Sequence, residues 1–139
     1  MVTENLRKVS ENCKKEGLNL AKPLSEKELV EKFANLGILL SQDVIEVYSN
    51  FGGFDEDKMD SECLTFWTPE KILQENESNA EYVFFADFLI DSHHYAFKFQ
   101  NVEISSIYVC YSETDRIKIS NSFAEFFELY LNQIEKLFV

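Results

Sequence analysis

"YVFFADFLIDSHHYAFKFQ", residues 82–100, is where the periodicity of this chain changes, and its reading decides the fold. Upstream, apolar residues recur every three or four positions, the spacing of a helix face; here they run together and then alternate. Residues 82–90 form a nearly continuous apolar run, the pattern of a strand covered on both faces. From His94 the alternation is clean, with Tyr95, Phe97 and Phe99 on one side and His94, Ala96 and Lys98 on the other. Asp91 and Ser92 read as turn residues between the two runs, and the histidines as polar starters of the second strand.

Period two continues downstream. "SIYVCYS" (106–112) places Ile107, Val109 and Tyr111 on one face and Tyr108 and Cys110 on the other. "ETD" turns the chain into "RIKIS" (116–120), with Ile117 and Ile119 expected inward. The chain then closes with "SFAEFFELYLNQIEKLF" (122–138), in which Ser122 and Glu125 have capping-box spacing. Phe123, Phe126, Phe127, Tyr130, Leu131, Ile134, Leu137 and Phe138 give this predicted helix a wide apolar face, suited to one face of a sheet.

Upstream, "CLTFW" (63–67) alternates well enough for a strand with Leu64 and Phe66 on one face. "TPEKILQEN" (68–76) reads as a short helix with Thr68 as N-cap and Pro69 in its first position. Three helices are expected before that. Val2, Leu6, Val9 and Cys13 make a narrow stripe that ends near Gly17. Ser25 and Glu28 box a helix with Leu29, Val30, Phe33 and Leu36 on one face and Gly37 past its end. Ser41 can cap a third, with Val44, Ile45 and Tyr48 inward, which "NFGGF" (50–54) breaks. The order of helices, antiparallel meander and amphipathic C-terminal helix predicts an α+β fold, a mostly antiparallel β-sheet flanked by helices.

The 139 residues suit a single domain spanning 1–139, with 45% apolar content including 13 Phe and 6 Tyr to fill a core. Twenty-five acidic against 13 basic residues give a formal charge of −12, which opposes binding to nucleic acid or an anionic membrane and favours a basic protein partner. The charged N-terminus lacks the apolar stretch of a signal peptide, and no window reaches the length of a membrane span. Three scattered cysteines without a C-x-x-C suit a reducing interior, so a cytoplasmic location is expected.

No chemistry-bearing constellation emerges. Adjacent side chains of a strand point to opposite faces, so His93 and His94 cannot share an ion. Asp91 and His93 could share a face, but two ligands fall short of a zinc site. In the acidic run "FDEDKMDSE" (54–62), a calcium loop counted from Asp55 would need Gly and Glu where Asp60 and Phe66 stand. Cys63 and Cys110 fall on predicted strands, where a free Cys is usually a small core residue. No nucleophile elbow, phosphate-binding loop or H-E-x-x-H occurs. The expectation is no catalytic residues, no metal and no cofactor. The sheet face bearing His94, Ala96, Lys98, Tyr108 and Cys110 has the mixed aromatic and polar composition of an interface, and equally of a solvated sheet face.

"IEVYSNFGGF", then "LTFWTPEKILQEN", "YVFFADFLIDSHHYAFKF" and "ISNSFAEFFELYL" together resemble the SUKH superfamily of bacterial immunity domains, related to a fungal cell-wall-synthesis regulator. The resemblance covers roughly residues 25 to 135. Its telling pieces are Asn50-Phe51-Gly52-Gly53 after a helix, Ala86-Asp87 in a strand before a turn, and Ser122-Phe123 with Glu125-Phe126-Phe127 opening the last helix. Where a glycine-rich turn is usual, this chain carries Ile90-Asp91-Ser92-His93-His94. The resemblance implies an α+β fold and a non-enzymatic protein that binds and neutralises a cognate toxin, often a nuclease, whose basic cleft carboxylates could occupy. With the acidic balance, it makes Asp55, Asp57, Asp60, Glu62, Trp67, Asp87, Asp91 and Tyr108 the expected partner-contact residues. The alternative it implies is an intracellular scaffold or regulatory adaptor.

Overall fold

The structure, a computed structural model, describes residues 2–138; the side chain of Val2, expected in the first helix stripe, lies outside what is described. Helix α1 (Val2–Lys15) buries Leu6, Val9 and Cys13 at the predicted spacing. It stops where Gly17 turns left-handed at φ +77° and Leu18 N–H returns to the Cys13 carbonyl. Helix α2 (Glu26–Asn35) opens with both halves of the Ser25–Glu28 capping box in place. Its buried face is Leu29 and Phe33, with Leu36 packed at the margin; Val30 is 44% exposed, one position outside the stripe. Helix α3 (Gln42–Asn50) buries Val44, Ile45, Val47 and Tyr48.

Ser41 starts α3 without capping it by a side-chain bond. Its buried hydroxyl instead donates to Asp43 Oδ1 at 2.5 Å and lies 2.6 Å from Ser105 Oγ. Asp43 carries the polar load of this corner, accepting from the backbone N–H of Ser105 (3.2 Å) and of Phe123 (3.0 Å) as well. One carboxylate therefore ties the start of α3 to a strand and to the last helix.

The sheet is an antiparallel meander in the order β1-β2-β3-β4-β5, formed by Leu64–Phe66, Val83–Phe88, His93–Phe99, Ser105–Cys110 and Arg116–Ser120. Helix α4 (Pro69–Glu75), capped by Thr68, fills the β1–β2 connection. Asn76 then bonds both the N–H and the C=O of Phe84, extending the edge with a side-chain amide. Register slips in β2 between Phe84 and Ala86, so Val83, Phe85 and Ala86 all turn to the helical side. Phe85 gains the core at the expense of strict alternation.

Helix α5 (Phe123–Asn132) lays Phe123 and Phe126 on Phe85, Phe97 and Tyr95, at centroid distances of 5.0–6.1 Å. Five expectations are corrected here. The last helix ends at Asn132; Gln133 leaves helical geometry and a short 3-10 turn, Ile134–Leu137, brings Leu137 into the core, where its carbonyl accepts the Tyr95 hydroxyl at 3.0 Å. Phe138 is exposed. Glu125 bonds the N–H of Asn121, one residue before the cap, so only the Ser122 half of that box forms. Ile117, paired with buried Val109, is 39% exposed, because only the C-terminal end of β5, at Ile119 and Ser120, is covered. Tyr111 lies beyond β4, in the turn, and is exposed too.

The "NFGG" break is set by close backbone approach. A Cβ on Gly52 would sit 2.0 Å from the Ala21 carbonyl oxygen, and one on Gly53 (φ +81°) 2.4 Å from that of Trp67. The obstacles are backbone atoms: the Ala21 peptide is held by its N–H to the Gly53 carbonyl (2.9 Å) and the Trp67 backbone by its N–H to the Phe85 carbonyl (2.9 Å), so neither can step aside. Gly52→Ala is expected to cost about 2–3 kcal/mol, read as a lower urea midpoint at unchanged slope.

Candidate functional site

Two surface segments meet at the β1 edge of the sheet: the acidic loop 55–62 and the β2–β3 hairpin tip 89–92. Thr65 Oγ1 donates to the Lys58 carbonyl (3.2 Å), and Leu89 N–H to the Cys63 carbonyl (2.9 Å), so β1 lies clasped between them. A shallow cavity of about 130 Å³ lies where they adjoin, lined by Asp57, Thr65, Lys71, Asp87, Ile90 and Asp91.

The acidic loop is held at several points. Asp55 N–H donates to the Asn19 carbonyl (2.8 Å), the Asn19 amide to Glu56 (3.0 Å), and Ser61 N–H to Glu16 Oε1 (2.6 Å). Its anchor is Asp60, which is buried and accepts from the N–H groups of Glu62 (2.8 Å) and Leu64 (3.0 Å) and from the Tyr130 hydroxyl. Burial pushes the Asp60 carboxyl up from its ordinary value, against the pull of those three donors. Burial also pushes the Tyr130 hydroxyl up, reinforced by the Asp60 charge.

The expected contact residues therefore divide. Asp55, Asp57, Glu62 and Asp91 are exposed, with Asp57 loosely paired to Lys71 at 3.3 Å. Asp60, Trp67 and Asp87 are interior, and each is engaged by neighbours within the fold. Trp67 Nε1–H donates to Asp87 Oδ2 at 2.6 Å, and the Lys71 ammonium lies 4.9 Å from the indole centroid. Asp87 also accepts the Asp91 N–H (3.4 Å), so the strand carboxylate orients the hairpin tip. Tyr108 is half-buried across the sheet, edge-on to Tyr82 at 5.1 Å, with Arg116 stacked over Tyr82 at 4.2 Å. The structure thus brings Asp57, Asp87 and Asp91 together with Trp67, and leaves Tyr108 in a separate aromatic and cationic cluster.

The histidines point to opposite faces, as their adjacency requires. His94 stacks on Phe84 (4.8 Å), meets Trp67 edge-on, and reaches Asp91 Oδ1 at 3.2 Å. The expected sharing of a face by Asp91 and His93 is corrected: Asp91 belongs with His94, because the turn swings it back over the outer face. His93 lies among Phe88, Tyr95 and Tyr111, where its buried Nε2 has no hydrogen-bond partner. Among the described residues, no group of three or more His, Cys, Asp or Glu side chains is placed to hold a metal ion. The face expected to be a mixed surface is itself partly closed, since Ala96, Ser106 and Cys110 are buried beneath their neighbours.

Sequence reasoning missed the tip. Leu89 and Ile90 extend the apolar run of β2, yet the strand ends at Phe88 and the two are 46% and 74% exposed. Leu89, Ile90 and Asp91 have φ of +47°, +52° and +66°, three successive left-handed residues without a glycine. Such geometry costs about 1 kcal/mol or more per residue and is least expected of a β-branched side chain. The only available signal was the Asp-Ser pair closing the run; nothing in the apolar pattern distinguishes strand end from turn.

An α+β domain of this topology, with its NFGG break and aromatic closing helix, belongs to the SMI1 / KNR4 family (SUKH-1), whose model matches residues 23–129. The SUKH resemblance read from the motifs is thus shown, and α1 lies outside the matched span. No curated protein and no solved structure gives a significant match. Among the described residues, no helix is long and apolar enough to cross a membrane.

Burial holds His93 below its ordinary value of 6.5, with the neighbouring His94 charge acting in the same direction. The unfolded chain then takes up a proton that the folded one refuses, so the His93 contribution to stability is full above pH 6.5 and is lost as pH falls through the interval beneath it. In denaturant melts across that interval, His93→Phe is expected to flatten the pH slope relative to wild type while keeping the stack on Phe88.

Proposed function

We propose that this chain is a non-enzymatic, cytoplasmic immunity protein that neutralises a cognate basic toxin by covering its working surface. The observation that carries this reading is the adjoining placement of Asp57 and Asp91, 91% and 65% exposed at the side chain, on two loops anchored to the same strand. Asp55 and Glu62 extend the same acidic border, in a molecule of net charge −12. Family membership supports the class of function, and the anchoring supports its mode. Carboxylates on loops anchored by internal hydrogen bonds are confined to a smaller region of space and lose less freedom on docking. A toxin that acts on phosphate-bearing substrates has a cationic cleft, and such a pattern competes for it by charge alone, with no bond made or broken.

The test is co-purification with the polypeptide encoded by the adjacent gene. A complex is expected, associating more slowly as salt rises toward about 1 M, where screening acts over about 3 Å. Asp57→Asn with Asp91→Asn is expected to slow association about tenfold at low salt. Absence of a complex would sink the role, and salt-independent association would sink the electrostatic account.

A further inference from the structure

The hairpin tip combines features with no use inside the fold. Its backbone holds three consecutive non-glycine residues left-handed, and its two aliphatic side chains face solvent, Leu89 46% and Ile90 74% exposed. Glycine would accept the same angles without steric penalty, yet bulky residues occupy them. Val102 and Leu39 are comparably exposed but lie elsewhere, in the β3–β4 turn and the segment before α3, on backbone without left-handed non-glycine residues. The tip is also rigidly held. Ser92 N–H donates to the Phe88 carbonyl (2.9 Å), the Ser92 hydroxyl to the Leu89 carbonyl (3.1 Å), and Leu89 N–H to Cys63 across the clasp. Asp91 is fixed twice, at its N–H by Asp87 and at its carboxylate by His94.

We infer that Leu89 and Ile90 form the apolar anchor of the partner interface, an inference that rests on the toxin-binding reading above. The occupant that fits is a basic protein with an aliphatic-sized recess bordered by cationic groups. Ile90 enters the recess while Asp57 and Asp91, on either side of the cavity it borders, meet the cations. This is the arrangement of a binding hot spot, an apolar centre sealed by a polar rim. The left-handed backbone projects the side chains away from the sheet, and the internal bonds hold them ready before the partner arrives. Charge brings the partners together, and the tip sets how long they stay.

The experiment separates folding from binding. Leu89→Gly/Ile90→Gly relieves the left-handed strain, and Ile90→Asn keeps a residue that tolerates it; both are measured for thermal stability and for affinity to the adjacent-gene polypeptide. Expected are a melting temperature equal to or above wild type for the glycine variant and binding weakened about tenfold or more in both, through faster dissociation. Val102→Ser serves as the remote control and binds as wild type. If wild type binds and both tip variants bind equally well, the anchor is overturned while the toxin-binding reading stands. If wild type itself fails to bind, both fall.

Discussion

The ring of Phe66 is the contact on which the rest of the structure depends. It is fully buried and meets Phe51, Phe54, Phe126, Phe127 and Tyr130 at centroid distances of 5.3–6.3 Å. Those five rings come from the break after α3 and from α5, so a single side chain on a three-residue edge strand joins the N-terminal helices, the sheet and the closing helix. Each such aromatic pair adds about 0.5–1.5 kcal/mol beyond the area it buries. Its neighbour Trp67 points to the opposite face and, through Asp87, organises the candidate site. Core and candidate site are therefore coupled by the alternation of one strand.

Around this apolar centre, three carboxylates make the polar connections. Asp43 ties α3, β4 and α5 at one corner; Asp60 fixes the acidic loop to α5; Asp87 fixes Trp67 and the hairpin tip. Each accepts donors that would otherwise be stranded in or near the interior, where an unpaired polar group costs about 1–3 kcal/mol. A strongly acidic composition therefore serves two ends. Part of the charge is consumed as internal fastening, and what remains at Asp55, Asp57, Glu62 and Asp91 is presented outward on supports the first part has made rigid. This division gives an acidic border a defined shape, and shape is what separates selective docking from diffuse attraction.

Helix α1 shows how far the fold extends beyond the matched span. Its stripe is buried, and Glu16 just past its end receives Ser61 from the acidic loop. The N-terminal segment thus acts on the candidate site directly, by bracing the loop that carries Asp55, Asp57 and Glu62, three of the four exposed carboxylates of that site.

Much of this was legible in the linear chain because its cause is local. Helix starts at Ser25, Thr68 and Ser122, the stripe of α1, the shift to period two near residue 82 and the opposed histidines all follow from spacing and backbone geometry that a few neighbouring residues decide. Membership of the family followed from the order of those local signals. What the sequence could not decide was where identical residue types would end up. Asp60 and Asp57 stand three positions apart in one acidic run, yet one is buried under Tyr130 and the other is almost wholly exposed. Leu89 and Ile90 continue the apolar text of β2 but stand in solvent, and Ile117 alternates correctly but sits on the uncovered first half of β5. Burial is a property of what covers a residue, and the covering elements come from distant parts of the chain. Local periodicity therefore determined the elements and their order, while only tertiary packing decided which charges became fastenings and which became surface.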